Sequence, residues 1–383
     1  MVKVVILSTA DMQAAVWTNK QHLAQRLADH FEVAYVESLG LRTPTFSRSD
    51  VKRIMRRLAG IKQKGAESGS PVKIIRPWVL PIHTNRFVRR INAITLQAQF
   101  RKILKTMDDG FVLWSFSPIT YGIERYAKSV VYHSVDLLHE IDGLPKALLL
   151  DAERHLIRRA DLVVASSRMV KEHLEVSGAK SVELWENVAD VRLYQQPSGA
   201  VRMKKAIFAG NMTPSKIDAL LMLRLAEAGV PLVLAGPIGV DGTEPQGSFL
   251  ELVEHPNVEY VGNLEPARLA HLMSSCCVGI IPYLQNGYTR GVFPMKVYEY
   301  LAAGLSVVST PLPSLNEVND PSIKIATESE FVACVSASLV IDKEAIAERR
   351  VRSNAFSWES RTRQAVSVIH TLERTNGNNP PVV

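Results

Sequence analysis

The chain has 383 residues, long for one domain and comfortable for two. It is 46% hydrophobic and 22% charged, an ordinary globular profile, and no apolar run approaches the roughly 20 residues that a membrane-spanning helix needs. The net charge of +7 hides an asymmetry: residues 42–105 hold 16 Lys and Arg against Asp50 and Glu67, a net of +14, so the remainder carries −7. One block therefore holds the positive field, which points to an anionic partner on that side. The cysteines, Cys276, Cys277 and Cys334, form no C-x-x-C spacing, so neither a zinc site nor a disulfide framework is expected. A reducing, cytoplasmic setting fits them. The apolar run near the N-terminus is too short for a signal peptide core.

In chain order, residues 2–8 read as a buried strand, 17–30 as a helix and 33–37 as a second strand. Strand–helix–strand at this spacing predicts a parallel sheet. The loop after the first strand lacks glycine and is no dinucleotide fingerprint. Trp17, Asn19 and His22 would line an acceptor pocket there or serve as ordinary helix-start residues. In residues 42–64, Val51, Ile54, Met55, Leu58 and Ile61 recur at helical spacing among Lys52, Arg53, Arg56, Arg57, Lys62 and Lys64. This is a basic amphipathic helix. It suits an anionic membrane surface, with Arg53, Arg56 and Arg57 as binding residues, or a sheet-packed helix with a solvated face. No nucleic-acid module is visible.

Residues 72–80 suggest a short strand, 85–105 a basic helix, and 111–117 a strand with Pro118 opening another helix. Residues 130–135 form a buried strand that delivers Asp136 just past its carboxyl end, where open α/β sheets place functional groups. Asp136 reads equally as a helix N-cap; His133 is a weaker candidate. Residues 150–159 suggest a helix and 160–167 a strand. A polar stretch at 194–200 suggests a linker. A second series follows: strands at 206–209, 232–235, 258–261 and 278–283, helices at 216–228 and 266–273. Several strands end in glycine, which lets backbone approach a ligand. Residues 293–313 then read as a helix opened by Pro294, stopped by Gly304, and followed by a buried strand. Lys296 lies in its first turn and Glu299 three residues on; such a start attracts phosphate, although helix starts commonly bind nothing.

The run PMKVYEYLAAGLSVVSTPLP resembles the donor-site helix of GT-B glycosyltransferases, especially bacterial exopolysaccharide and teichuronic-acid transferases. The VVYHSVD strand is similar to that of xanthan-type glucuronosyltransferases, whose aspartate acts as catalytic base; Asp136 aligns with it. The resemblance implies an α/β fold of two doubly wound, parallel-sheet (Rossmann-like) domains facing a cleft. Residues 1–195 would bind acceptor and carry the basic membrane-facing segment. Residues 200–355 would bind the nucleotide sugar, 356–374 would be a helix returning to the first domain, and 375–383 a frayed tail. Met212, Asn263 and Tyr283 would face base or ribose; Met295, Lys296 and Glu299 would face phosphates or sugar. Gly291 stands where many retaining relatives carry a first glutamate, so that pair is incomplete. The implied activity is transfer of a sugar, UDP-linked, to a lipid-linked or polysaccharide acceptor at the cytoplasmic face of the membrane, in cell-surface polysaccharide synthesis. No D-x-D-like motif is present, so no metal or other cofactor is expected. The alternatives are a nucleotide-sugar 2-epimerase and a non-catalytic binder of sugar nucleotides or anionic polymers.

Overall fold

The computed structural model describes residues 2–14, 16–41, 71–104, 110–196, 199–239, 247–316 and 318–376. Arg53, Arg56 and Arg57, with the whole stripe from Val51 to Ile61, lie outside the described residues. The chain divides into two units, Met1–Trp185 with Thr362–Val383, and Glu186–Arg361. The division precedes the polar stretch at 194–200. Tyr194 is an apolar anchor rather than linker: it lies within the short helix Val191–Gln195 and is buried in the core of the second unit.

In the first unit, a parallel sheet forms from strands β1 (Lys3–Leu7), β2 (Glu32–Val36), β3 (Val72–Ile75), β4 (Val112–Ser115), β5 (Ser129–Ser134), β6 (Leu162–Ala165) and the short, exposed β7 (Glu183–Leu184). Their spatial order is β3-β2-β1-β4-β5-β6-β7. The direction of winding switches between β1 and β4, the place where open sheets bind ligands beyond their carboxyl ends. Every residue of β5 is buried, as expected of a strand covered on both faces. The helix Asn19–Leu27 starts on a capping box between Thr18 and Gln21. Phe31 packs on His370 of the last helix at 5.4 Å between ring centroids, which seats the end of that helix on this unit. The helix expected after Pro118 does not form. Tyr121 and Gly122 adopt φ of 53° and 86°, and two successive left-handed residues break a right-handed helix, leaving only a 3-10 turn at Ile123–Tyr126.

The second unit repeats the pattern with β8 (Ala206–Ala209), β9 (Leu232–Ala235), β10 (Val258–Gly262), β11 (Val278–Ile281), β12 (Ser306–Ser309) and β13 (Ile323–Ile325). Their order is β10-β9-β8-β11-β12-β13, so its switch point lies between β8 and β11. The helix Lys296–Ala302 connects β11 to β12. It starts two residues later than Pro294 suggests, and Gly304 stops it at φ 84°. Arg202 donates to the carbonyl of Ala303 at 2.8 Å and Arg349 to that of Gly304 at 3.0 Å, so cations cover the carbonyl end of the helix. Tyr300 holds the helix against the sheet. Its hydroxyl accepts from the Ala209 N–H at 3.0 Å, and its ring lies where a side chain on Gly279 of β11 would stand.

That packing gives a stability prediction. Gly279→Ala would drive a methyl group into the buried Tyr300 ring. Overpacking of this kind costs about 1–3 kcal/mol, to be read as a lowered denaturant midpoint at unchanged slope. An unshifted midpoint would mean that Tyr300 does not wedge the helix on β11.

Candidate functional site

In the second unit, two strand ends and one helix start meet. β8 ends in Gly210 at φ 134° and β9 in Gly236 at φ 128°. The Gly210 N–H donates to the Ala235 carbonyl at 2.8 Å, and the Gly236 N–H to the Gly262 carbonyl at 2.7 Å. Both glycines are required. A Cβ on Gly236 would overlap the Gly210 carbonyl, and a Cβ on Gly210 would overlap the ammonium end of Lys296. Backbone and lysine thus share one small space at the carboxyl edge of the sheet.

Lys296 does not stand alone. Its Nζ lies 5.3 Å from the Phe208 ring centroid, and that of Lys216 lies 4.6 Å from the Tyr283 ring centroid. Burial by itself would raise the Tyr283 phenol; Lys216 and Lys296, which both donate to its hydroxyl, outweigh burial and pull it below the ordinary tyrosine value. A buried phenol is lowered only where positive charge is concentrated. Nearby, Asn211 Oδ1 is buried and accepts no hydrogen bond among the described residues. A buried acceptor left unmade costs free energy and calls for an explanation. Glu299 sits on the inner side. Burial raises its carboxyl, Lys296 opposes the rise, Asp190 adds to it, and Tyr194 donates a hydrogen bond to it. Paired ammonium groups beside glycine backbone suit a diphosphate.

The other predicted donor residues fall into two groups. Met295, Lys296 and Glu299 are partly exposed along the first turn of the helix, and Tyr283 faces Lys216. Asn263 is exposed, immediately after Gly262. Met212 lies fully buried in the apolar core, with its N–H donating to the Pro237 carbonyl at 2.9 Å. Lys216 went unrecognised because the apolar periodicity placed it inside a helix. Asp218 caps that helix by accepting from the Leu221 N–H at 2.8 Å, which leaves Lys216 in the preceding turn. An aspartate just before an apolar periodic run was the available signal.

In the first unit, Asp136 follows β5 at a bend and is partly exposed. Its carbonyl accepts from the Leu138 N–H at 3.0 Å. The N-cap position of the next 3-10 turn belongs to Leu137, whose side chain makes no capping hydrogen bond. His133 is a core residue, with its ring among Trp114, Phe116 and Trp185 and its Nδ1 3.4 Å from Trp114 Nε1. Trp17 packs edge-on to His22 at 5.3 Å, while Asn19 is buried at the helix start. Gly291 ends the short turn of helix Gly287–Arg290 and supplies no carboxylate.

The two units together define a GT-B fold. The architecture matches the sucrose-phosphate synthase of Thermosynechococcus elongatus with a TM-score of 0.70 at 15% identity, over 98% of this chain and 100% of that one. It also matches Anabaena HepE in complex with UDP-glucose, with a TM-score of 0.63 at 13% identity, over 97% and 100% of the two chains. Residues 204–347, which contain Gly210, Lys216, Tyr283 and Lys296, match the family described as glycosyl transferases group 1. In sequence, the chain is 30% identical over 222 residues to TuaH of Bacillus subtilis (strain 168), a protein named for teichuronic acid biosynthesis as a glycosyltransferase. That match spans 55% of this chain and 55% of TuaH, so the chain spans about half the length of the curated relative it matches.

Proposed function

We propose that this chain is a glycosyltransferase that moves a sugar from a UDP-linked donor to a lipid-linked or polysaccharide acceptor in cell-surface polysaccharide synthesis. The observation that carries the reading is the convergence of Lys216 and Lys296 on Tyr283 beside Gly210 and Gly236. The lysines bind the diphosphate and stabilise it as it departs with its developing charge. Asn211 Oδ1 would accept from a donor hydroxyl, and Glu299 orients Lys296. Met295 borders the sugar, and Asn263 and Tyr283 the nucleotide. Met212 shapes this wall from inside the core. Asp136 takes the proton of the acceptor hydroxyl as general base in an inverting transfer. The group 1 match over the donor half and the UDP-glucose complex of HepE support the donor class; the name of TuaH supports the polysaccharide setting. In a thermal-shift panel of nucleotide sugars, at least one UDP-sugar should raise the melting temperature in proportion to the logarithm of its concentration. A panel without a single shift would overturn the reading.

The same reading places the protein peripherally on an anionic, cytoplasmic membrane face. Among the described residues no helix is long and apolar enough to cross a membrane. The helix Arg86–Leu104 exposes Phe87, Ile91 and Ile94 at spacings of four and three, next to Arg86 and Arg90. Such a face supports interfacial docking, and it belongs to the basic stretch of sequence, residues 42–105, that also contains Arg53, Arg56 and Arg57. Binding to anionic vesicles should weaken with salt, since the screening length is about 8 Å at physiological ionic strength. Changing Arg53, Arg56 and Arg57 to Glu should release the protein. Equal binding to neutral and anionic vesicles would contradict this placement.

A further inference from the structure

Three side chains of the first unit that the transfer reading does not use converge on one point: His139, Glu153 and His173. They come from three elements, the 3-10 turn Leu138–Glu140, the helix Lys146–Arg159 and, after β6, the helix Arg168–Val176. Their candidate donor atoms all lie within 4.8 Å of one another. The two imidazoles stack with centroids 4.4 Å apart. His173 Nε2 lies 2.5 Å from one Glu153 oxygen, and the other oxygen accepts from the Tyr132 hydroxyl at 2.6 Å. The side chains of His139, Glu153 and His173 are 11%, 8% and 19% exposed, so all three are largely withdrawn from water.

We propose that His139, Glu153 and His173 form a binding site for a divalent transition-metal ion of the zinc type, with Tyr132 as the outer hydrogen bond that fixes the carboxylate. Two imidazoles and a carboxylate are a donor set that zinc accepts, with a water completing four-coordination. At metal–ligand distances of about 2.0–2.2 Å, tetrahedral ligand atoms stand about 3.3–3.6 Å apart. The close His173–Glu153 pair would therefore open by roughly 1 Å. An ordinary ion pair needs only one histidine; here a second ring stacks on the first and reaches the same point. Lys146 is the opposing charge, but it is 59% exposed and its ammonium is held at 2.7 Å by Glu140. A bound ion would tie the turn that follows Asp136 to two helices. Its role is positioning, and it takes no part in sugar transfer.

The test uses the full chain, stripped with a chelator and titrated with Zn²⁺ by calorimetry, then with Co²⁺ by visible absorption. One ion should bind per chain and raise the melting temperature. His139→Ala leaves the Glu153–His173 pair in place but removes the ring stack, so its stripped form should keep the wild-type circular dichroism spectrum and melt somewhat lower, while its affinity falls at least about 100-fold and added Zn²⁺ no longer raises its melting temperature; Tyr132→Phe should lose about 10- to 100-fold in affinity. The Co²⁺ spectrum should show nitrogen and oxygen ligands only. Absence of saturable binding, equal binding by His139→Ala, or a thiolate charge-transfer band placing the ion on a cysteine would each overturn the proposal. Donor binding is not among the readouts, so this test stands apart from that of the transferase reading.

Discussion

Asp136→Asn should lower the transfer rate about 10²- to 10⁴-fold, the range a general base contributes, with donor affinity and melting temperature unchanged. The substitution keeps shape and hydrogen-bonding capacity and removes basicity. The Leu138 N–H bonds the carbonyl of residue 136, not its side chain, so that backbone hydrogen bond survives the change. A capping residue would behave differently. Asn caps about as well as Asp, so a cap predicts normal turnover in Asn and lost stability in Ala. A base predicts lost turnover in both. Transfer rates measured beside melting temperatures separate the two roles, and normal turnover in Asp136→Asn would leave the base unassigned.

The second large effect falls on the donor. Lys296→Ala removes one of two ammonium groups that hold the Tyr283 phenol below its ordinary range. Charge-assisted hydrogen bonds contribute about 1.5–3 kcal/mol each, which corresponds to about a 10- to 100-fold loss in affinity for a nucleoside diphosphate. Lys216→Ala should lose a similar amount. The two effects are not expected to add simply, since both lysines touch Tyr283. The phenol offers an internal reporter. With both lysines gone, burial alone remains, and Tyr283 should titrate above its ordinary value instead of below it.

Much of the fold was legible because parallel strands buried on both faces leave continuous β-branched runs. β8 and β9 fall at the residues their apolar runs predict. The glycine after the Lys296–Ala302 helix was equally readable, since its position demands a left-handed conformation. The two-residue strand β7 and the partly exposed β13 were not, because neither carries a sustained apolar run. Pro118 misled: the left-handed pair Tyr121 and Gly122 overrides it. In the donor region, Lys296 and Glu299 were visible from their places in a patterned helix. Lys216 was not, because only packing brings it beside Tyr283, distant in sequence. The His139, Glu153 and His173 group was invisible for the same reason. Its spacing follows no local metal motif and arises only when three elements pack together.

If Lys216 and Lys296 form a diphosphate-binding donor site, their joint removal should abolish donor binding. Calorimetric titration of a UDP-sugar that is positive in the thermal-shift panel, into the wild type and into the Lys216→Ala, Lys296→Ala double variant, tests it most directly. The wild-type chain should bind one molecule saturably, and a double variant that retains the wild-type circular dichroism spectrum should show no measurable binding. Equal affinity in the two proteins would contradict it and move the donor away from these lysines.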